Sequence, residues 1–168
     1  MTVDDLLAKQ EIIETLYRYC RSLDRMDEKM YETVFSSDAR LKYDNYFDGT
    51  SVEFCEWVWE QHRAMRAHSH QIANVLVNIS EDRNRAVSES YVTICLAQNV
   101  TSSDGMISHT VERGRYLDQW GRGKSGEWRI TGRQYTGDVR IVLDSASEHA
   151  RTVSRERTDP SYEIFALI

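Results

Sequence analysis

Cysteine is scarce in this chain. Cys20, Cys55 and Cys95 are odd in number, far apart and placed on expected helices or strands. That pattern excludes a disulfide framework and reads as reduced packing residues in a cytoplasmic protein. No run of basic residues and no zinc-finger spacing occurs, and the net charge is −6, so no nucleic-acid partner is expected. No apolar run approaches the length of a membrane span. The opening Met-Thr-Val-Asp-Asp-Leu-Leu carries acids where a secretory signal carries bases, so neither export nor a membrane partner is expected. Nucleophilic serine or cysteine motifs and dinucleotide fingerprints are missing as well. Gly121-Arg-Gly-Lys-Ser-Gly126 resembles a phosphate loop only on the surface. It lacks the four-residue spacer and the following helix, and reads as a hairpin turn.

What is present is the profile of a soluble globular domain: 168 residues, 40% hydrophobic and 29% charged. Residues 3–23 predict a first helix opened by Thr2 or Asp4, and 27–35 a shorter second one. Residues 39–47 alternate as a strand that the Asp48-Gly49 turn closes. Ser51 opens a third helix to about Ala67, with Glu53 and Glu56 in its first turns where the helix dipole favours acids. Strands are then expected over 70–79, 85–98, 106–120 and 127–143. The tail, residues 144–168, contains the only proline, Pro160, and ends in Phe165-Ala-Leu-Ile168. That apolar ending predicts docking on its own domain or a neighbour, or fraying. Three helices followed by hairpin-connected strands predict an α+β domain over 1–143, with helices packed on one face of a curved, mostly antiparallel sheet. The cavity between sheet and helices is the default site.

Two residues on this frame carry chemistry. Leu6, Ile13, Leu16, Cys20 and Leu23 trace an apolar stripe, and Asp24 continues it with a carboxylate. Asp24 either ends the helix in solvent or needs a buried partner. His70 opens the first long strand and has the side chain best matched to proton transfer near neutral pH. Bonded to Asp24 through one ring nitrogen, it would hold one tautomer and keep the other nitrogen as a base; otherwise it is a structural histidine. Residues 68, 70, 72 and 74 share one face of an extended strand, so Asn74 points with His70. His68 and His70 also have the spacing of two metal ligands, with a third to come from His62, His109, Asp24 or a glutamate. No compact second motif exists, and no metal is expected. Tyr19 and Tyr43 are placed to line a cavity, though core packing explains most aromatic residues. Arg113, Arg115, Arg129 and Arg133 are read as covering a solvent face, while Arg140 could reach the open mouth of a cavity.

Tyr19…Leu23-Asp24, His70-x-x-x-Asn74 and Gly114-Arg-Tyr-Leu-Asp-Gln-Trp…Gly126-Glu-Trp-Arg-Ile130 together resemble the SnoaL-like branch of the nuclear-transport-factor-2-like superfamily. The pattern is similar to its scytalone dehydratase, hexachlorocyclohexane dehydrochlorinase and bile-acid 7-alpha-dehydratase members, over about residues 4–143. The resemblance implies a cone-shaped half-barrel and a cofactor-free elimination on a hydrophobic cyclic or polycyclic small molecule. His70 would be the base, Asp24 its orienter and Tyr19 the donor to the leaving group. Tyr43, Asn74, His109 and Arg140 would contact substrate, His109 as the only candidate for a second cavity histidine. A homodimer or homotrimer is implied too. The superfamily also includes ketone isomerases, polyketide-type cyclases and non-catalytic binding modules, so those readings stay open.

Overall fold

In the computed structural model, described over residues 2–101, 106–145, 155 and 157–167, the chain opens with helix α1 (Val3–Asp24). Its start is fixed by a capping box: the Asp5 backbone N–H donates to the Thr2 hydroxyl, and the Thr2 N–H donates to the Asp5 carboxylate. The helix buries Ala8, Ile12, Leu16, Tyr19, Cys20 and Leu23. Ile12 therefore takes the centre of the stripe and Leu6 is exposed, which leaves Asp24 on the stripe's flank. Helix α2 is one turn, Glu28–Tyr31, capped by Asp27. It is shorter than expected because Phe35 already belongs to strand β1 (Phe35–Tyr43).

The first hairpin also departs from the alternation pattern. β1 turns at Asp44, whose φ of 40° an aspartate tolerates, and pairs antiparallel with β2 (Phe47–Thr50). Asp48-Gly49 lies within β2 and is not the turn. Helix α3 (Ser51–Arg63) begins with a second capping box, Thr50 with Glu53, and buries Phe54, Val58, Trp59 and His62. It stops four residues early, since β3 (Met65–Ile79) starts at once. β4 (Arg85–Thr101), β5 (Ile107–Arg122) and β6 (Trp128–Ser145) follow as long antiparallel hairpins. The sheet order is β2-β1-β6-β5-β4-β3; among the described residues β1 beside β6 is the one parallel pair, and β2 and β3 are the edges. This is the expected α+β half-barrel: a curled, unclosed sheet with the helices laid on one face.

The core is aromatic. Tyr43 stacks on Phe54 at 4.4 Å and on Tyr135 at 5.5 Å, and Tyr19 meets Phe35 and Tyr116 edge-on. At its centre lies an ion pair. Arg133 donates to both oxygens of Asp118, at 2.6 and 2.8 Å, and neither side chain has exposed surface. The guanidinium is held between the rings of Tyr19 and Tyr116, 4.2 and 4.0 Å from their centroids. The solvent-face reading of Arg133 is thus overturned, for a local reason. The β5–β6 register shifts between Gln119 and Trp120, so β6 carries one extra residue there. Such a bulge reverses which face later residues take.

A short helix α4 (Pro160–Phe165) rests against α1. Arg21 donates to Ser161, Arg25 pairs with Asp159, and the Tyr162 hydroxyl donates to Asp27. The Arg21 guanidinium also lies over the rings of Tyr162 and Phe165, 5.1 and 4.8 Å from their centroids. Of the apolar ending, Phe165 thus joins the docking while Leu167 stays exposed; Ile168 lies outside the described residues.

Asp118→Asn would leave the Arg133 charge buried without its counter-charge. A stability loss of about 3–5 kcal/mol is expected in chemical denaturation. Asp118→Leu with Arg133→Met should lose less than either single change, because the charge disappears from both sides.

Candidate active site

α1 ends where β3 begins to pair, and this junction brings the two chemical residues together. The Asp24 carboxylate is bound twice by His70: its Oδ2 accepts the backbone N–H at 3.0 Å, and its Oδ1 lies 2.7 Å from Nδ1. The side chains are largely enclosed, Asp24 at 15% exposure and His70 at 4%. Burial acts to raise the Asp24 pKa. The nearby His68 ring and the ring and backbone bonds of His70 outweigh it and hold the carboxyl at about 2. An ionised Asp24 can only accept, so Nδ1 carries a proton, and in the neutral ring Nε2 then holds the lone pair. That is the arrangement of an oriented base.

Two more histidines stand behind the pair. His68 has no exposed side-chain surface, and its Nδ1 is 3.6 Å from the same Asp24 oxygen, too far for a hydrogen bond. Neither of its ring nitrogens has a hydrogen-bond partner among the described residues. His62 stacks on it with ring centroids 4.0 Å apart. Burial pushes the His62 pKa down to about 2 and lowers that of His68 too, so both rings are neutral at physiological pH. A donor atom from each of Asp24, His68 and His70 lies within 4.8 Å of the other two. In front, a cleft of about 270 Å³ is walled by Tyr17, Cys20 and Arg21 of α1, Arg25, and Ile72 of β3 beside the pair.

The other expected site residues are distributed less tightly. Tyr19 is wholly buried; its hydroxyl meets that of Tyr43 at 2.8 Å, and its ring supports Arg133. Asn74 does not join His70. It adopts φ 48° where the β3–β4 register shifts, and it is exposed. The bulge breaks the alternation on which the shared face depended. His109 pairs with Ala97, which pairs with Ala67, and so lies on the sheet face opposite to His68 and His70. Arg140 is on their face: the row His70, Ile94, Glu112, Arg140 runs straight across four strands. Its guanidinium is held by Glu112 at 3.2 Å and by the Tyr46 hydroxyl at 3.1 Å. Glu112, which also accepts from Tyr135 at 3.4 Å, was not singled out from the sequence; only the strand register reveals it.

The SnoaL-like domain profile matches residues 4–134, more than three quarters of the chain. The chain belongs to the SnoaL-like domain family. Solved structures agree on the fold. A candidate scytalone dehydratase from Novosphingobium aromaticivorans superposes with a TM-score of 0.72 at 18% identity, over 84% of this chain and 91% of the other. A hexachlorocyclohexane dehydrochlorinase, LinA-type3 from Novosphingobium barchaimii, does so at 0.69 and 12%, over 84% and 93%. A nuclear transport factor 2-like superfamily protein from Salmonella enterica gives 0.66 and 20%, over 86% and 99%. Comparison with curated proteins gives no sequence match. At these identities the likeness carries the architecture, a SnoaL-like cone.

The protonation states predict a two-stage acid response. His62 and His68 have lowered folded pKa values, so unfolding takes up protons and stability falls as pH drops below about 6.5. Asp24 contributes stability above its unfolded value of 3.8, lost as pH falls from there towards 2, by roughly 2 kcal/mol. Denaturation against pH should show both stages; Asp24→Asn should remove the second and deepen the first, because the carboxylate's upward pull on the His62 and His68 pKa values goes with it.

Proposed function

We propose that this SnoaL-like protein is a cofactor-independent lyase that eliminates water from a hydrophobic cyclic or polycyclic alcohol. The observation that carries the reading is the pair of hydrogen bonds between Asp24 and His70. A carboxylate that holds both the backbone and the ring of one histidine fixes tautomer and direction together. The fold neighbours named as dehydratase and dehydrochlorinase support an elimination.

In this mechanism Nε2 of His70 takes a proton from a carbon beside an activating carbonyl. The electrons of that C–H bond form the new carbon–carbon double bond as the C–O bond on the neighbouring carbon breaks. The leaving hydroxyl departs as water, taking a proton from a donor in the site; His70 then releases its proton to solvent and the donor takes one back, so the site is restored. Asp24 stabilises the imidazolium in between without being protonated, as its low pKa requires. Tyr19, given by family resemblance as the donor to the leaving group, is enclosed, and in this reading it acts through the hydroxyl of Tyr43 to which it is bonded. Arg140 shares His70's sheet face and would contact the far side of the substrate; Asn74 and His109 are given no part.

A screen of cyclic and polycyclic hydroxy-ketones by mass spectrometry should find a substrate that loses water. On it, His70→Ala should reduce kcat by about a hundred- to ten-thousandfold, and Asp24→Asn by a comparable factor, with folding intact. Undiminished turnover in His70→Ala would refute the mechanism. A product of unchanged mass would replace elimination by isomerisation on the same base.

A further inference from the structure

We propose that Asp24, His68 and His70 form a binding site for one divalent transition-metal ion of the zinc type, and that filling it disables His70 as a base. The second half rests on the lyase reading; the first stands by itself.

The donor set is two imidazoles and one carboxylate, which suits zinc, cobalt or nickel and not magnesium or calcium. Oδ1 of Asp24 is 2.7 Å from Nδ1 of His70 and 3.6 Å from Nδ1 of His68. Ligands about 2.1 Å from a tetrahedral ion lie roughly 3.4 Å apart. The His68 spacing already fits, and His70 has to open by less than about 1 Å. The surroundings hold the ligands as outer partners in metal sites do. Oδ2 of Asp24 is engaged by the His70 backbone N–H, which leaves Oδ1 to face the ion. The His62 ring, stacked at 4.0 Å, sets the plane of His68.

The independent sign is His68 itself. A wholly buried imidazole with no hydrogen bond at either nitrogen among the described residues is costly, and a structure retains few such groups without a reason. An ion at this position satisfies one of its nitrogens. Arg25 lines the adjoining cleft, and its charge weakens the site relative to one with two carboxylates. The consequence for His70 is a tautomer switch. An ion on Nδ1 requires that nitrogen's lone pair, so the ring's single proton moves to Nε2. The nitrogen that served as a base becomes a donor.

The test uses the full-length protein stripped of metal by a chelator, with Zn²⁺ and Co²⁺ as probes. Calorimetry with Zn²⁺ is expected to show one saturable site, and Co²⁺ to develop visible absorption bands of nitrogen and oxygen coordination. His68→Leu, which removes a ligand that makes no other bond, should weaken binding by more than about tenfold, while His109→Gln on the opposite face should leave it unchanged. In wild type, long-range proton–nitrogen spectra with Zn²⁺ should place the His70 proton on Nε2. Absence of saturable binding in wild type overturns the site whatever the variants do. Equal binding by a folded His68→Leu places the ion elsewhere and overturns it too. A His70 proton that stays on Nδ1 overturns the switch. Zinc binding as described in a protein that turns over no cyclic alcohol would reject the lyase reading and leave the metal site standing.

Discussion

One carboxylate sits at the seam of this molecule. Asp24 closes the longest helix, and His70, 46 residues away, gives it both a backbone and a ring hydrogen bond. The first of these ties the last turn of α1 to the sheet; the second aims an imidazole. A helix one turn longer or shorter would miss the strand, and a strand shifted by one residue would turn His70 to the opposite face. The two capping boxes matter for this reason: they set where α1 and α3 begin, and hence where Asp24 stands and where β3 can start.

Behind the seam the protein holds charge in two different ways. Asp118 and Arg133 are wholly enclosed, compensated by two short hydrogen bonds and two aromatic faces. His62 and His68 are kept neutral. The result is a site in which Asp24 is the ionised member and the imidazoles around it hold lone pairs. In the proposed chemistry that combination serves proton abstraction through one nitrogen of His70, and in the proposed metal site it would serve cation capture through the other. An ion on Nδ1 sends the ring proton to Nε2, so the two uses exclude one another.

The α1 boundaries and the run of long hairpins were legible in the sequence, because each follows from periodicity, caps or turn signals; the Asp24–His70 meeting was legible only through the family resemblance, since spacing alone left both residues with structural readings. What the sequence hid were bulges. One extra residue in β6 put Arg133 into the core, and one irregularity in β3 removed Asn74 from His70's face. Alternation read along one strand cannot register an insertion that only the partner strand defines. Glu112 was hidden for the related reason that a row across four strands exists only once the registers are known. The second helix shrank to a turn because Phe35 was better used in β1 beside Tyr19 and Tyr31, a tertiary preference that local propensity does not carry.

The proposed chemistry depends most directly on where the proton of His70 sits. Long-range proton–nitrogen spectra of the metal-free protein at neutral pH, compared with Asp24→Ala, measure it. The geometry predicts a single tautomer with the proton on Nδ1 in wild type, and a mixture of tautomers once the carboxylate is gone. A wild-type ring already mixed, or protonated on Nε2, would contradict the oriented base on which the proposed chemistry is built.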